Sequence, residues 1–377
     1  MKITAVHVDT LELAYSEPFV IASSALAAGP CDLVRVETDE GITGYGEACP
    51  AYEFTGETLW TAEDVIGEYL APSVIGRDPF DLEAINRVWD RELYTVGNQA
   101  ARAGVELALW DIQGKALGRP VCDLIGGRAR PALQEVVAFG WDEPEALAKD
   151  TLAMKALGIH IFKIKVGDAP ERDEQRVAAV REAAGPDARI TVDANQGWWD
   201  AKTAVRAIRL LEPHAIEFAE QPVRMDDLEA ARFVRAHVDV PIALDESVRG
   251  PREALACVKA EACDMFVVKL MKTGGISGAI KVNAIAEAAG INVMIGNMGE
   301  SSIAMSAHFH VNIALANAVH GDADLPWRED ALRYDIATGI RQEVVDGVSW
   351  IDVPEAPGLG VELVEENVER QRVERRW

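Results

Sequence analysis

The chain is short of several things, and each shortage excludes a class of protein. Five cysteines (Cys31, Cys49, Cys122, Cys257 and Cys263) are scattered over 377 residues with no C-x-x-C pair and no metal-ligand spacing. An odd count without a framework excludes a disulfide scaffold and points to reduced packing thiols in a cytoplasm. Basic residues are few, 37 Lys and Arg against 62 Asp and Glu, for a net charge of −25. A nucleic-acid surface needs a basic footprint, so that partner is excluded, and the acidity is read as a solubility device or as salt adaptation. No apolar run exceeds strand length, so the ~20 residues of a membrane span are missing. The opening "MKITAVHVDTLEL" alternates like a strand and lacks a charged-then-apolar leader, so no signal peptide is expected. No G-x-G-x-x-G fingerprint follows any strand-like segment, which argues against a dinucleotide site.

What is present organises into two parts and a tail. Residues 1–125 mix strands with helices. "CDLVRVETDEGITGYGEACP" reads as two strands turning at Asp39-Glu40-Gly41, and "QAARAGVELALWDIQGKALG" is a helix ending at Gly118. That is an α+β domain. Over 126–326 short apolar runs alternate with helical patterns: "EVVAFG", "HIFKIKVG", "RITVDAN", "AIEFAEQP", "PIALDES", "DMFVVKL", "INVMIGNM" and "VHGDADL". Eight strands, each but the last followed by a helix, predict a parallel (β/α)7β TIM-like barrel. An open doubly wound sheet is the alternative, but a repeat of about 25 residues favours the barrel. Residues 327–377 carry no further barrel unit, and Pro354, Pro357, Gly358 and Gly360 suggest a structured return to the first domain.

One stretch of the second strand is anomalous. In "FKIKVG" (Phe162–Gly167) Lys163 and Lys165 share one face of a strand whose other face is Phe162, Ile164 and Val166. Two like charges side by side are unfavourable unless something uses them. Barrels place active sites at the C-terminal ends of their strands. There the successive units carry Lys165, Asp193, Glu220, Asp245 and Lys269, spaced 24 to 28 residues apart. A single acid in such a place could cap the next helix; five charged groups in register need a common purpose.

Asp193, Glu220 and Asp245 make an oxygen-rich cluster that a divalent cation would neutralise, Mg²⁺ or Mn²⁺ in preference to Zn²⁺. The second and sixth strands lie across a barrel from one another, so Lys165 and Lys269 would approach a bound carboxylate from opposite faces. Lys163, by its charge, would lower the pKa of Lys165 towards that of a usable base. The substrate is then a small-molecule carboxylate whose α-proton is removed with the cation stabilising the enediolate. Asn195 and Glu300, with Asp322 and Asp324 in "GDADL", are further candidate substrate contacts.

The "KIK" pair, "VDAN", "EQP", "DES", "VVKLMKTGGI" and "GYGEACP" together resemble the enolase superfamily, in its muconate-lactonizing subgroup, over essentially the whole chain. The resemblance implies Mg²⁺ on Asp193, Glu220 and Asp245, with Lys165 and Lys269 as acid/base pair and Lys163 tuning. It also implies a first domain that caps the barrel with mobile lids near residues 15–30 and 50–57, and a homo-oligomer, dimer or octamer. The mandelate racemase and sugar-acid dehydratase branches usually carry a His at the end of strand seven, but "IGNMGES" has none, which favours lysine–lysine chemistry. His308 and His310 fall in a helical pattern and read as helix or core residues, and His320 as structural. "DAD" resembles the Asp-x-Asp with which dipeptide epimerases hold an α-ammonium; a capping role for these acids is the alternative. The expected reaction is racemisation or epimerisation of an amino-acid derivative, with a dipeptide as one candidate. Cycloisomerisation, o-succinylbenzoate synthesis or dehydration on the same scaffold is the alternative. A metal-free Schiff-base aldolase leaves the acids without a purpose, and a non-catalytic barrel leaves the whole set without one.

Overall fold

The computed structural model describes residues 1–22, 24–93, 97–323 and 332–375. Three antiparallel strands open the chain in the order β1 (Ile3–Val20), β2 (Ala25–Thr38), β3 (Thr43–Ala48). The turn between β2 and β3 falls at the predicted place, with Gly41 at φ 78°, a conformation that favours glycine. A 19-residue helix, α1 (Gln99–Leu117), lies against β3. Its closeness explains "GYGEA": a Cβ at Gly46 would sit 2.0 Å from the Gly104 carbonyl oxygen, and one at Gly44 2.2 Å from that of Ala108. Both glycines point to one face of the strand, and only their missing side chains admit the helix backbone.

Residues 15–20 and 25–30, expected as a lid, take strand form. They are the distal part of the β1–β2 hairpin, paired as far as Val20↔Ala25 with a register shift between Ala14 and Phe19. Tyr15, Phe19, Val20 and Leu26 supply strand propensity that the small residues around them had obscured. The shift interrupts strict pairing between Ala14 and Phe19. Residues 50–57 keep loop character around one helical turn, Tyr52–Thr55.

The eight predicted barrel strands all form, and they are neighbours in chain order: β4 (Val136–Phe139), β5 (Ile161–Lys165), β6 (Arg189–Asp193), β7 (Ala219–Glu220), β8 (Ile242–Leu244), β9 (Met265–Val268), β10 (Asn292–Ile295) and β11 (Ala318–Gly321). All pairs are parallel. The first and last strands are joined by the Val136 N–H donating to the Ala323 carbonyl at 3.3 Å, which closes the barrel. Between the strands run α2 (Pro144–Ala156), α3 (Pro170–Ala184), α4 (Ala201–Leu211), α5 (Leu228–Arg235), α6 (Pro251–Ala260), α7 (Ile276–Ala288) and α8 (Ser302–Ala314). Proline opens α2, α3 and α6, where its missing N–H is no loss. Asp200, Asp227 and Ser301 side chains cap α4, α5 and α8. Phe162, Ile164, Val192, Leu244 and Val268 are fully buried in the core shared with the helices. The fold is therefore the expected α/β barrel with an α+β domain against it.

The tail first forms a hairpin, Arg341–Val345 with Val348–Asp352, which pairs with Leu133–Gln134. A last helix, α9 (Glu365–Gln371), then lies on β1. There Arg35 grips Glu365 through both guanidinium nitrogens at 2.7 and 2.9 Å, and the Val373 N–H donates to the Thr10 carbonyl. Among the described residues no helix is long and apolar enough to cross a membrane.

Candidate active site

Alternation along β5 sends Phe162 and Ile164 to the helices and turns Lys163 and Lys165 inward, where both are buried. Parallel pairing sets Lys165 opposite Asp193 and Asp193 opposite Glu220. Glu220 pairs with Ala243, so Asp245 lies two residues further along, and the Ala243↔Met265 pairing carries Lys269 two further again. Steps of two preserve the inward face, and strand tilt in a barrel produces such a stagger. The five charges of the motif series thus line one wall and its far side rather than a flat ring.

The backbone just past these acids is strained. Asn195, Gln196 and Gln221 have φ of 40°, 68° and 38°, conformations costly for residues with a Cβ and retained where surroundings over-determine them. Gln221 shows how: its Oε1 accepts from the Asp245 and Ser247 N–H groups, and its Nε2 donates to Val223 O and Ser247 Oγ. It ties the end of β7 to the end of β8.

The acids are held by lysines. Lys165 Nζ lies 2.6 Å from Asp193 Oδ2 and 2.9 Å from Asn195 Oδ1. Lys269 Nζ lies 2.9 Å from Asp245 Oδ2 and 5.5 Å from the Phe54 ring centroid, on the lid turn. Lys163, expected beside Lys165 as its tuner, bridges three carboxylates: Glu220 at 2.9 Å, Asp322 at 3.0 Å and Asp193 at 3.3 Å. Burial alone would pull its ammonium pKa down, but Asp322, Glu220 and Asp193 outweigh burial and hold it well above the usual value. Burial likewise opposes the charge on Asp193 and Asp245. Lys165 and Lys163 reverse that for Asp193, and Lys269 and Lys272 for Asp245, leaving both below the ordinary carboxylate range.

Glu220 is the exception. Burial first, and the Asp193 charge next, push its carboxyl well up. Lys163 touches it, yet neither Glu220 oxygen has an aligned hydrogen bond, and Asp245 Oδ2 has none either. Among the described residues no three carboxylate, imidazole or thiolate groups already converge as a metal cage, because ammonium groups stand between the acids. The residues nevertheless fit a hard divalent cation: wholly buried carboxylates on adjacent strands, with oxygens that lack an aligned hydrogen bond.

A cavity of about 420 Å³ opens above this wall, and Lys163, Lys165 and Lys269 reach it. Asn195, Glu300 and Asp322 line it as well, while Asp324 lies outside the described residues. Phe19, Ile21 and Leu26 of the hairpin and Tyr52 and Phe54 of the turn cover it. Glu300 is buried, accepting from the Met298 N–H and facing His308. His310 sits in the core as expected of it. Lys272, in "VVKLMKTGGI", joins the site although it falls outside the once-per-repeat series. Fully buried, its ammonium contacts the Asp245 carboxylate and carbonyl. The signal for it was its distance of three residues from Lys269, one turn of a short helix, Leu270–Thr273.

A wall of buried carboxylates, with lysines from strands four apart on one cavity, defines an enzyme that moves protons. Family models agree: the mandelate racemase / muconate lactonizing enzyme N-terminal domain matches residues 2–126, and the enolase C-terminal domain-like model matches residues 146–367. The chain belongs to this family of isomerases in the enolase superfamily. It is 37% identical to an N-succinyl-L-Arg/Lys racemase of Bacillus cereus, covering 99% of this chain and 98% of that one. The crystal structure of the Bacillus cereus racemase superposes with a TM-score of 0.93 over 99% of both chains at 36% identity. A dipeptide epimerase of Enterococcus faecalis, solved with Mg and the dipeptide L-Leu-L-Tyr, superposes at 0.88 with 37% identity over 96% of this chain and 100% of that one. A chloromuconate cycloisomerase of Pseudomonas putida is 31% identical, covering 96% of this chain and 97% of that one.

Proposed function

We propose that the protein racemises or epimerises an α-amino-acid derivative, a dipeptide or an N-acylated amino acid, by moving the α-proton from one face of the carbon to the other. The observation that carries this reading is the placement of Lys165 and Lys269 at the ends of β5 and β9, four strands apart in a closed eight-stranded barrel and on the same cavity. Each lysine takes a proton from the enantiomer that presents it and returns one to the other, with the ammonium of the partner as the acid. Asp193, Glu220 and Asp245 would hold Mg²⁺, for which Mn²⁺ could substitute. Bound there, the cation would stabilise the enediolate charge that develops on the substrate carboxylate. Lys163 and Asn195 stand where they would position that carboxylate. Asp322, with Asp324 as its expected companion, would face a cationic α-amine, and Glu300 is the remaining candidate contact.

Turnover in D₂O tests the reading. α-Deuterium incorporation with inversion supports it, whereas a lactone or alkene without inversion would establish cycloisomerisation or elimination, the activity class of the Pseudomonas relative. The two lysines make a sharper prediction. Lys165→Ala or Lys269→Ala should slow interconversion by roughly a thousandfold. Each variant should still exchange the α-proton of the one enantiomer that faces its remaining lysine. Loss of exchange with both enantiomers, or unchanged turnover, contradicts the two-base assignment. A cytoplasmic location is part of the proposal, supported by five free, buried cysteines. So is a homo-oligomer, dimer or octamer, which sedimentation analysis would resolve.

A further inference from the structure

The segment Gly296–Glu300, between β10 and α8, contributes Asn297, Met298, Gly299 and Glu300 to the cavity wall. It is also where the other parts of the site meet. From the hairpin, the Tyr15 hydroxyl donates to the Gly299 carbonyl at 3.4 Å. Asn297 Nδ2 donates to the Asp322 carbonyl at 3.0 Å, and Asn297 Oδ1 accepts the Gly299 N–H at 3.1 Å. Asp322 in turn faces Lys163 at 3.0 Å. A segment holding so many connections, with Gly299 at φ 84°, needs an anchor.

Its anchor is a buried pair. Glu300 is 1% exposed and His308 2%. One Glu300 oxygen accepts the Met298 N–H inside the segment, and the other meets His308 Nε2 at 3.1 Å on α8. That helix is itself fixed at its start, where Glu47 accepts from Ser301 and Ala304 and Asp335 accepts from Ser302. His308 Nδ1 is buried with no partner. An unpaired buried nitrogen is a cost that a leucine would avoid, and a buried ion pair is weak evidence for stability. The imidazole is therefore better explained by what it does to Glu300 than by its own packing.

We propose that Glu300 and His308 form a positioning pair that holds the Gly296–Glu300 segment and, through Asn297, the backbone of Asp322. Glu300 then acts on the cavity through the segment it braces, in place of the direct substrate contact considered above. The consequence for turnover rests on the racemase/epimerase reading; the consequence for the segment does not.

Amide hydrogen exchange on the full-length protein in Mg²⁺ separates the two. His308→Ala should speed exchange at Met298 and Gly299 by at least about tenfold while α4, four strands away around the barrel, exchanges as in the unaltered protein. His308→Gln, whose side-chain amide can donate to Glu300, should restore protection. Protection unchanged in His308→Ala, or exchange accelerated equally in every helix, overturns the proposal. Should His308→Ala not fold, Asn297→Ala carries the test. It should raise KM by about tenfold with kcat held within about threefold and the melting temperature unchanged, and an unchanged KM overturns the link to Asp322. If the unaltered protein exchanges no α-proton with any dipeptide or N-acylamino acid, the functional reading fails. The bracing is then still judged on His308→Ala and His308→Gln by exchange at the Met298 and Gly299 amides, a readout that needs no substrate.

Discussion

Lys272 shows how much a single side chain can matter without reaching the cavity. It occupies one oxygen of Asp245, which leaves Oδ2 to face the Lys269 ammonium on the cavity side. Groups that orient a metal ligand typically contribute 10–100-fold in affinity. Lys272→Met should therefore weaken Mg²⁺ binding by roughly that factor in calorimetric titration, with Lys272→Arg intermediate; unchanged affinity would deny it the role. His310 makes a prediction about pH. Its Nδ1 accepts the Cys122 N–H and its Nε2 meets the Leu359 carbonyl, so only the neutral ring suits both. Burial drives its pKa from 6.5 down to about 4. The folded value lies below the unfolded one, so the stabilisation is complete above pH 6.5 and is lost as pH falls towards about 4. That window should remove about 3 kcal/mol, and His310→Asn should flatten this part of a denaturation-versus-pH curve. The lysines and acids of the site were legible because they recur once per repeat. Lys272 and Gln221 were not, since each acts on Asp245 from another repeat, nor was His308, because no pattern shows its ring turning back to Glu300 across the start of α8.

At the scale of elements, buried carboxylates of the first domain cap helices of the barrel. Glu106 on α1 accepts from the Ile276 and Ser277 N–H groups at the start of α7, and Glu47 on β3 does the same for α8. Exposed N-terminal amides are satisfied and the two layers are locked by the same bonds. Burial pushes the Glu47 carboxyl from 4.5 up to about 7, against the Ser301 and Ala304 bonds that pull it down. A folded value above the unfolded one makes its contribution most favourable below pH 4.5 and lost as pH rises through about 7. Stability should fall by about 3 kcal/mol across that window. Glu47→Gln should abolish the slope in urea titrations; a slope that persists would locate it elsewhere. Periodicity announced α1 and the barrel helices, but nothing local in "GYGEA" says that its glutamate ends on a helix of the other layer. The strand character of the lid hairpin is hidden for a similar reason, because it comes from pairing across β1 and β2.

At the scale of the molecule, the tail closes the chain on itself. Arg372 meets Asp9, Arg375 meets Asp64 and Val368 of α9 is fully buried. Exposed ion pairs contribute little singly, so the buried valine and the paired backbone carry the attachment. Truncation after Val364 should lower the melting temperature by several degrees and loosen β1, seen as faster amide exchange over residues 3–14. An unchanged melting temperature would show the tail to be dispensable. By itself the sequence determined the barrel, the inward lysine pair and the carboxylate series, because period-two alternation and a repeat of about 25 residues are local properties of the chain. The tertiary structure alone decided which lysine faces which acid, that Lys163 bridges Glu220 and Asp322, and that Glu300 leans on His308. The lysine–acid pairings depend on strand stagger and barrel closure, which bring together residues up to 159 positions apart, and no local pattern encodes such distances.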